Sequence, residues 1–200
     1  MREEPPTRSR VAWPTVVPLD DGIELRQWRA ALVEQLSAAV EANVEHLRGW
    51  MPWIADEPVS VPDRRRLLTL WESAWEAGTD HHYGIFDGDT TVGSVGVMDR
   101  LGRGRREIGY WLDRAYTGRG IVTAAVRELI TVALSEPGIT RVEIHHDRDN
   151  QASAGIPRRL GFELIDEIAT PVVAPAESGV SWIWEMTEAR WSGRAPAPAP

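Results

Sequence analysis

Two glycines, one residue apart, stand directly before a helical pattern in the stretch YTGRGIVTAAV, which runs from Tyr116 to Val126. Glycines before a helix let backbone N–H groups converge on one point, and the start of a helix adds about half a positive charge. Such a place suits an anion, and a phosphate is the usual occupant. Glycines also open helices for steric reasons, so this motif alone supports both interpretations.

Two other clusters carry side chains that could move protons. Asn150 and Ser153 are three residues apart, hence on one face of a short helix, and both are also good helix-capping residues. Pro157 cannot donate a hydrogen bond to the Ser153 carbonyl, which leaves that oxygen available to water or a ligand. His145 and His146 end a strand-like run, and imidazole suits the removal of a proton from an ammonium group. Adjacent strand residues point to opposite faces, so at most one of them faces a given cleft directly.

The composition excludes several classes of protein. The chain has 200 residues, 42% of them hydrophobic, which is enough for one well-buried domain. Cysteine is absent, which excludes disulfides, cysteine nucleophiles and thiolate metal sites and fits a cytoplasmic protein. The net charge of −8 argues against a nucleic-acid partner and mildly favours a cationic one, although it also serves solubility. No apolar run could span a membrane, and His81 and His82 match no metal-ligand set, so we expect neither a membrane partner nor a metal.

The ends of the chain differ in composition from its middle. Residues 1–18 are predicted to form an extended or poorly ordered lead-in, and residues 191–200 a disordered Pro/Ala tail. One domain over residues 19–190 remains.

Hydrophobic periodicity predicts the order of elements in that domain. It begins with a strand, GIELRQW, followed by a helix from Arg29 to Trp50 and a second helix that ends at Gly78. Two strands joined by a turn at residues 87–89 come next, then a third strand, REIGYWLD. A helix, a strand, a short helix and two final strands complete the chain. This order predicts a mixed α/β sheet with helices on its faces.

Three segments resemble motifs of the GNAT superfamily of acyl-CoA-dependent N-acyltransferases, in its RimJ/RimL-type branch. EIGYWLDRAYTGRGIVTAAV is similar to the fourth strand, pyrophosphate loop and following helix of that family. RVEIHHDRDNQASAGIPRRLGF resembles its fifth strand and Asn-x-x-Ser helix, and EANVEHLRGWMPWI resembles the segment after its first helix. The resemblance covers about residues 20–188 and implies a mixed, mostly antiparallel central sheet flanked by helices. Thr117 and Val122 depart from the family's loop, which usually has a long polar side chain and Gly or Ala there.

The resemblance also implies where acetyl-CoA binds. The pyrophosphate would lie against backbone N–H groups at the helix start, and pantetheine would pair with the strand edge. Gly109 would permit a bulge whose N–H binds the thioester oxygen; a glycine needed for tight packing is the alternative. The Ser153 hydroxyl would protonate or stabilise the thiolate. The residues assigned to CoA are Tyr110, Trp111, Leu112, Thr117, Gly118, Arg119, Gly120, Ile121, Val122, Thr123, Asn150 and Ser153.

The general base is the least defined part of the implied site. RimL-like enzymes are thought to use a carboxylate with a water molecule, and at the matching spacing this chain has Val172. The resemblance places His146 beside the expected amine path, so His146 is the leading hypothesis for the base. Glu107 and Glu143 are fallback bases, and His145, on the opposite face, is expected to contribute little.

An aromatic wall for the acceptor is expected at Trp50, Met51 and Trp53, although each could equally be a packed helix turn. The function implied is a cytoplasmic N-acetyltransferase, monomeric or homodimeric, that uses acetyl-CoA and no metal. The RimJ/RimL resemblance implies a protein N-terminal amine as acceptor. A small cationic amine or antibiotic as acceptor, a succinyl-type donor, and a non-catalytic CoA-binding module are the alternatives.

Overall fold

The computed structural model describes residues 11–193. Its strands and helices run β1 Val16–Pro18, β2 Ile23–Gln27, α1 Val33–Leu47, α2 Val61–Ala77, β3 His81–Asp87, β4 Thr90–Met98, β5 Arg105–Leu112, α3 Ile121–Ser135, β6 Arg141–Asp147, α4 Gln151–Leu160, β7 Glu163–Ala169, β8 Val180–Thr187 and α5 Glu188–Ser192. The predicted order is confirmed, with short β1 added before it and short α5 after it. Residues 1–10 of the predicted lead-in and 194–200 of the predicted tail lie outside the described residues.

The ends of the two early helices have local causes. The Ser60 hydroxyl accepts a hydrogen bond from the Asp63 N–H at the start of α2, and Gly78 ends that helix in the left-handed conformation. Helix α1 is shorter than predicted, because the residues before Val33 form a 3-10 turn.

Eight strands form one sheet in the order β1-β2-β3-β4-β5-β6-β8-β7. Neighbouring strands are antiparallel except β5 and β6, which run parallel. The predicted mixed, mostly antiparallel sheet is therefore confirmed.

A gap opens in the middle of this sheet. Strands β5 and β6 pair only from Arg105–Glu107 to Arg141–Glu143. Beyond those pairs β5 stays with β4 as far as Leu112, while β6 stays with β8 as far as Asp147. The two halves of the sheet therefore diverge, and the edges of β5 and β6 face each other across a gap without pairing.

The helices cover both faces of the sheet. Helices α3 and α4 bury Leu129 and Leu160 with Ile108 and Ile144 of the strands; we call this side the α3/α4 face. Helices α1 and α2 bury a second cluster on the other side, which includes Trp111; we call it the α1/α2 face. Because strand residues alternate, β5 and β6 send side chains to both faces beside the gap.

Candidate active site

The start of α3 leaves backbone N–H groups open to a ligand. Gly118 and Gly120 have φ angles of 78° and 80°, which residues with a Cβ rarely adopt. A Cβ at either position would meet no atom within 4 Å, so backbone conformation rather than space requires glycine. Helix α3 has no side-chain cap, and Ala124 is the residue whose N–H bonds back to the Gly120 carbonyl. The N–H groups of the first turn can therefore bind an anion.

The side chains of this loop mostly serve its own structure. The Thr117 hydroxyl donates to the Arg114 carbonyl at 2.9 Å. The Arg119 guanidinium lies 4.9 Å from the centre of the Tyr116 ring. Val122 is buried in the core of the α3/α4 face, so its bulk is directed away from the loop. Both departures from the family pattern thus leave the backbone N–H groups accessible.

A cavity of about 310 Å³ lies beside the first turn of α3. Arg119, Arg127 and Arg159 line it together with Gly120 and Thr123. The Arg159 Nε donates to the Thr123 hydroxyl at 3.2 Å. Asp20 and Asp21 line the same cavity, so three guanidinium groups and two carboxylates lie beside the uncapped helix start. The excess of one positive charge is compatible with phosphate groups.

A larger cavity of about 870 Å³ lies at the gap between β5 and β6. Tyr110 and Ser153 line it from the α3/α4 face, and Trp111 and His145 line it from the α1/α2 face. Because both faces contribute, a ligand entering from one side of the sheet can meet a ligand from the other.

Tyr110 and Ser153 form a polar pair inside this cavity. The Tyr110 hydroxyl donates to the Ser153 carbonyl at 3.2 Å and lies 3.1 Å from the Ser153 hydroxyl. That carbonyl lacks its usual helical donor because Pro157 stands four residues later. The oxygen expected to be free for a ligand is therefore occupied by Tyr110. Burial raises the pKa of Tyr110 to about 12, so the hydroxyl stays protonated and can donate.

Asn150 begins the helix that carries Ser153. Its side-chain oxygen accepts from the Ser153 N–H at 3.0 Å, which is the capping role that its position indicates. Asn150 also lines the large cavity, so the same side chain lies within reach of a bound ligand.

The bulge expected at Gly109 is absent. Pairing between β4 and β5 runs without a register shift from Gly93–Leu112 to Met98–Glu107. Gly109 lies opposite Gly96, and both line the cavity. A Cβ on Gly96 would lie 2.6 Å from a ring nitrogen of His82. Because neither glycine has a side chain, no Cβ extends into the cavity from these two positions on the α1/α2 face.

The aromatic wall includes more residues than the sequence indicated. Trp50, Met51 and Trp53 all line the cavity, and Trp53 is 38% exposed. The Trp53 and Trp111 rings lie 6.4 Å apart in a tilted arrangement. Trp71 lines the same cavity from α2.

Trp71 stacks on His82, for which the sequence indicated no role. The rings of Trp71 and His82 lie 4.3 Å apart and nearly parallel. Burial lowers the pKa of His82 to about 4, so this ring is neutral at ordinary pH. Two sequence signals could have predicted that Trp71 and His82 lie together. They are the helical spacing of the tryptophans in α2 and the alternation of residues in β3.

Most charged groups that line the large cavity are acidic. Its lining includes six carboxylates and two arginines: Asp56, Glu57, Asp63, Glu107, Asp147 and Glu177, with Arg64 and Arg100. Both arginines pair with carboxylates of that set. Val172 is 59% exposed and is not part of the lining.

His146 lies on the α3/α4 face with both ring nitrogens engaged. Trp184 donates its indole N–H to Nε2 at 2.9 Å, and Nδ1 lies 2.8 Å from the Asp147 carbonyl oxygen. An indole only donates and a carbonyl only accepts, so His146 carries its proton on Nδ1. Burial lowers its pKa. This geometry argues against His146 as the acceptor of the amine proton, because both ring nitrogens are already hydrogen-bonded.

His145 lies on the α1/α2 face, together with the aromatic wall. Its Nε2 is 2.7 Å from Oε2 of the buried Glu143. Glu107 binds Arg100 through both of its oxygens. His145 was expected to contribute little because the acceptor was expected on the α3/α4 face. An acceptor bound at the aromatic wall would instead lie on the same face as His145.

The described residues contain neither a membrane-spanning helix nor a metal cluster. Between residues 11 and 193, no helix is long and apolar enough to cross a membrane. Over the same residues, no group of three or more His, Asp or Glu side chains is placed to hold a metal ion.

Comparisons with known proteins agree with the geometry. The acetyltransferase (GNAT) domain model matches residues 23–163. A Bacillus subtilis protein named "Putative ribosomal N-acetyltransferase YdaF" is 29% identical over 147 residues, which is 72% of this chain and 79% of that protein. RimL, a ribosomal L7/L12 alpha-N-protein acetyltransferase solved with coenzyme A, superimposes with a TM-score of 0.79 at 22% identity, covering 88% of this chain and 99% of its own.

A third similar structure is the microcin C7 self-immunity acetyltransferase MccE, solved with acetyl-CoA and AMP. It has a TM-score of 0.79 and 22% identity over 88% of this chain and 98% of its own. The family match spans most of the chain, and the fold is that of RimL and of RimJ from Mycobacterium smegmatis. The chain therefore belongs to the GNAT acetyltransferase family.

Proposed function

We propose that this enzyme transfers the acetyl group of acetyl-CoA to a primary amine, and that the amine is the N-terminus of a protein. The observation that carries the proposal is the gap between β5 and β6, where one cavity is lined from both faces of the sheet and is acidic and aromatic on the α1/α2 face. A donor and an acceptor can then meet in the gap from opposite sides. This brings the reacting groups together without either ligand blocking the other.

The donor binds from the α3/α4 face. The pyrophosphate of CoA lies against the N–H groups of residues 119–123, with Arg119 adding charge, and pantetheine pairs with the free edge of Tyr110–Leu112. The uncapped start of α3 and the unpaired edge of β5 support this placement.

The thioester then lies near the pair formed by Tyr110 and Ser153. When the amine attacks the carbonyl carbon, the C–S bond breaks and the leaving thiolate needs a proton. The Tyr110 hydroxyl can supply it, because burial keeps that hydroxyl protonated. The Ser153 hydroxyl, 3.1 Å away, can replace the proton on Tyr110 or donate directly.

The acceptor enters from the α1/α2 face, past Trp50, Met51 and Trp53. An acidic lining attracts an ammonium group, and aromatic rings provide cation–π contacts. YdaF and RimL are both named as acting on ribosomal proteins. A ribosomal protein terminus is therefore the first acceptor to test, which also agrees with a cytoplasmic location.

The test is turnover of acetyl-CoA against a panel of amines. The panel contains hexapeptides that begin with serine or alanine, the same peptides with a blocked N-terminus, spermidine, and an aminoglycoside. We expect turnover only with free peptide N-termini, detected as CoA release and as a mass increase of one acetyl group. The chain contains no lysine, so acetylation of its own side-chain amines does not contribute to the signal.

The panel also tests the alternatives. The large aromatic cavity and the likeness to the fold of MccE favour a small-molecule acceptor as the second candidate. Turnover with spermidine or the aminoglycoside alone would establish that candidate. Succinyl-CoA used in place of acetyl-CoA tests a larger donor. Binding of acetyl-CoA without turnover on any amine would indicate a non-catalytic module.

A further inference from the structure

The histidine at the narrow end of the gap has the geometry of a proton acceptor. His145 lies two residues beyond Glu143, where β6 stops pairing with β5. Its Nε2 is 2.7 Å from the Glu143 carboxylate, and Glu143 is buried. Nδ1 makes no hydrogen bond with any residue of the described range and is open to solvent. One nitrogen is thus fixed by a buried carboxylate while the other carries a lone pair at the cavity.

The other titratable groups beside the gap are less suited to accept a proton. His146 has both nitrogens hydrogen-bonded. Both oxygens of Glu107 accept from the Arg100 guanidinium, so this carboxylate is already held in an ion pair. Tyr110 is held protonated and serves as a donor. Of the two imidazoles that end β6, His145 is the one with a ring nitrogen free of hydrogen bonds to the described residues.

We propose that His145 takes the proton of the acceptor ammonium and that Glu143 positions it. This proposal rests on the proposed function. The ammonium N–H bond breaks, its proton moves to Nδ1, and the freed lone pair attacks the acetyl carbon. The C–S bond then breaks, the thiolate takes a proton from Tyr110 or Ser153, and the second proton of the amide nitrogen passes through water to that oxygen and restores the donor. The net products are the amide, CoA thiol and one proton, which His145 releases to solvent.

Several charged groups lie near His145. They are Glu143 and Asp147 on its own strand, Arg105 and Glu107 on β5, Arg100 in the loop before β5, and Glu185 on β8. Arg105 lies 3.4 Å from Glu143, so the buried carboxylate is shared between an arginine and the imidazole. A substitution at Glu143 therefore changes both the orientation and the charge at His145.

The experiment compares His145→Gln and Glu143→Gln with the wild type on the serine-initiated hexapeptide. The matched control is His46→Gln, which makes the same change at an exposed position on α1. We expect His145→Gln to lower kcat about 10²-fold, as for the loss of a general base. Glu143→Gln should lower kcat less. The Kd of acetyl-CoA, measured by calorimetry, should stay within about twofold in all variants, because its anion site lies at α3.

A pH series separates a proton acceptor from a structural residue. A peptide amine has a pKa of about 8, so about a tenth of it is neutral at pH 7 and nearly all at pH 9.5. The factor by which His145→Gln lowers kcat relative to the wild type should therefore shrink about tenfold between those pH values, because a neutral amine does not need the base. A structural defect would give a deficit that does not depend on pH.

The outcomes are distinct. Full turnover by His145→Gln, or a deficit that stays constant from pH 7 to 9.5, would overturn the assignment of His145 and leave the proposed function standing. Absence of wild-type turnover on every amine in the panel would overturn both. A folded His145→Gln protein with unchanged Kd, reduced kcat and a deficit that shrinks with pH supports the assignment.

Discussion

Replacing Gly120 with aspartate or asparagine should separate charge from shape at the anion site. Both side chains have nearly the same shape, and both tolerate the left-handed conformation that Gly120 adopts. Neither should clash, since a Cβ there meets no atom within 4 Å. Without ligand, Gly120→Asp should be the more stable variant, because a carboxylate is favourable beside the start of α3.

With ligand the order should reverse. At an effective dielectric constant of about 20, two unit charges about 6 Å apart repel by about 3 kcal/mol, which is about a hundredfold in Kd. Calorimetry should therefore show acetyl-CoA bound at least about a hundredfold more weakly by Gly120→Asp than by Gly120→Asn. The difference should decrease at high salt because the site is exposed to solvent. Equal affinities in the two folded variants would refute phosphate binding at α3.

Four further results can be tested with single variants or a pH change. Tyr110→Phe should lower kcat about 10²-fold with little change in the Kd of acetyl-CoA, because it removes a proton donor and not a binding group. Ser153→Ala should also reduce kcat more than affinity; a lower melting temperature with full turnover would leave it a structural role only. Trp53→Ala should raise the KM for the amine with kcat nearly unchanged, and a change in acetyl-CoA Kd instead would place it on the donor side. Burial lowers the pKa of His81 to about 3 and of His82 to about 4, so the unfolded chain binds more protons below about pH 6.5. The stabilisation from these neutral rings is complete above pH 6.5 and decreases towards pH 4. Urea unfolding should show that the free energy of unfolding falls by about 2 kcal/mol or more from pH 7 to 5. An unchanged free energy of unfolding would contradict the burial argument.

Local signals predicted most of the elements. Alternation, helical spacing and the ends of α2 at Pro62 and Gly78 are visible within a few residues, so they need no tertiary information. Strand β1 was missed because it is three residues long and gains its structure by pairing with β2. The glycine-rich, uncapped start of α3 was also visible in the sequence, because two glycines before a helix constrain the backbone locally; anion binding there stays a prediction.

The polar part of the site depends on contacts that no local pattern records. Pro157 correctly indicated that the Ser153 carbonyl lacks its helical donor. The hydrogen bond that Tyr110 donates to this carbonyl instead depends on the packing of α4 against β5. Strand alternation shows that His145 and His146 point to opposite faces, but it does not show which face receives the acceptor. The sequence therefore offers no physical reason to prefer His145 over His146. The Trp184 hydrogen bond that occupies His146 comes from β8, which is 38 residues away in sequence.

The two strands beside the gap divide the chemistry between the faces of the sheet by simple alternation. On β5, Tyr110 points to the α3/α4 face, while its neighbours Gly109 and Trp111 face the cavity proposed for the acceptor. On β6, His146 is held in the core beside Trp184, while His145 lies at the cavity with Glu143. Donor and acceptor groups thus come from adjacent residues, and a shift of one residue in either strand would exchange them. The parallel pairing of Arg105–Glu107 with Arg141–Glu143 fixes that register just before the strands diverge, so the same three residue pairs that close the sheet also determine which side chains meet each ligand.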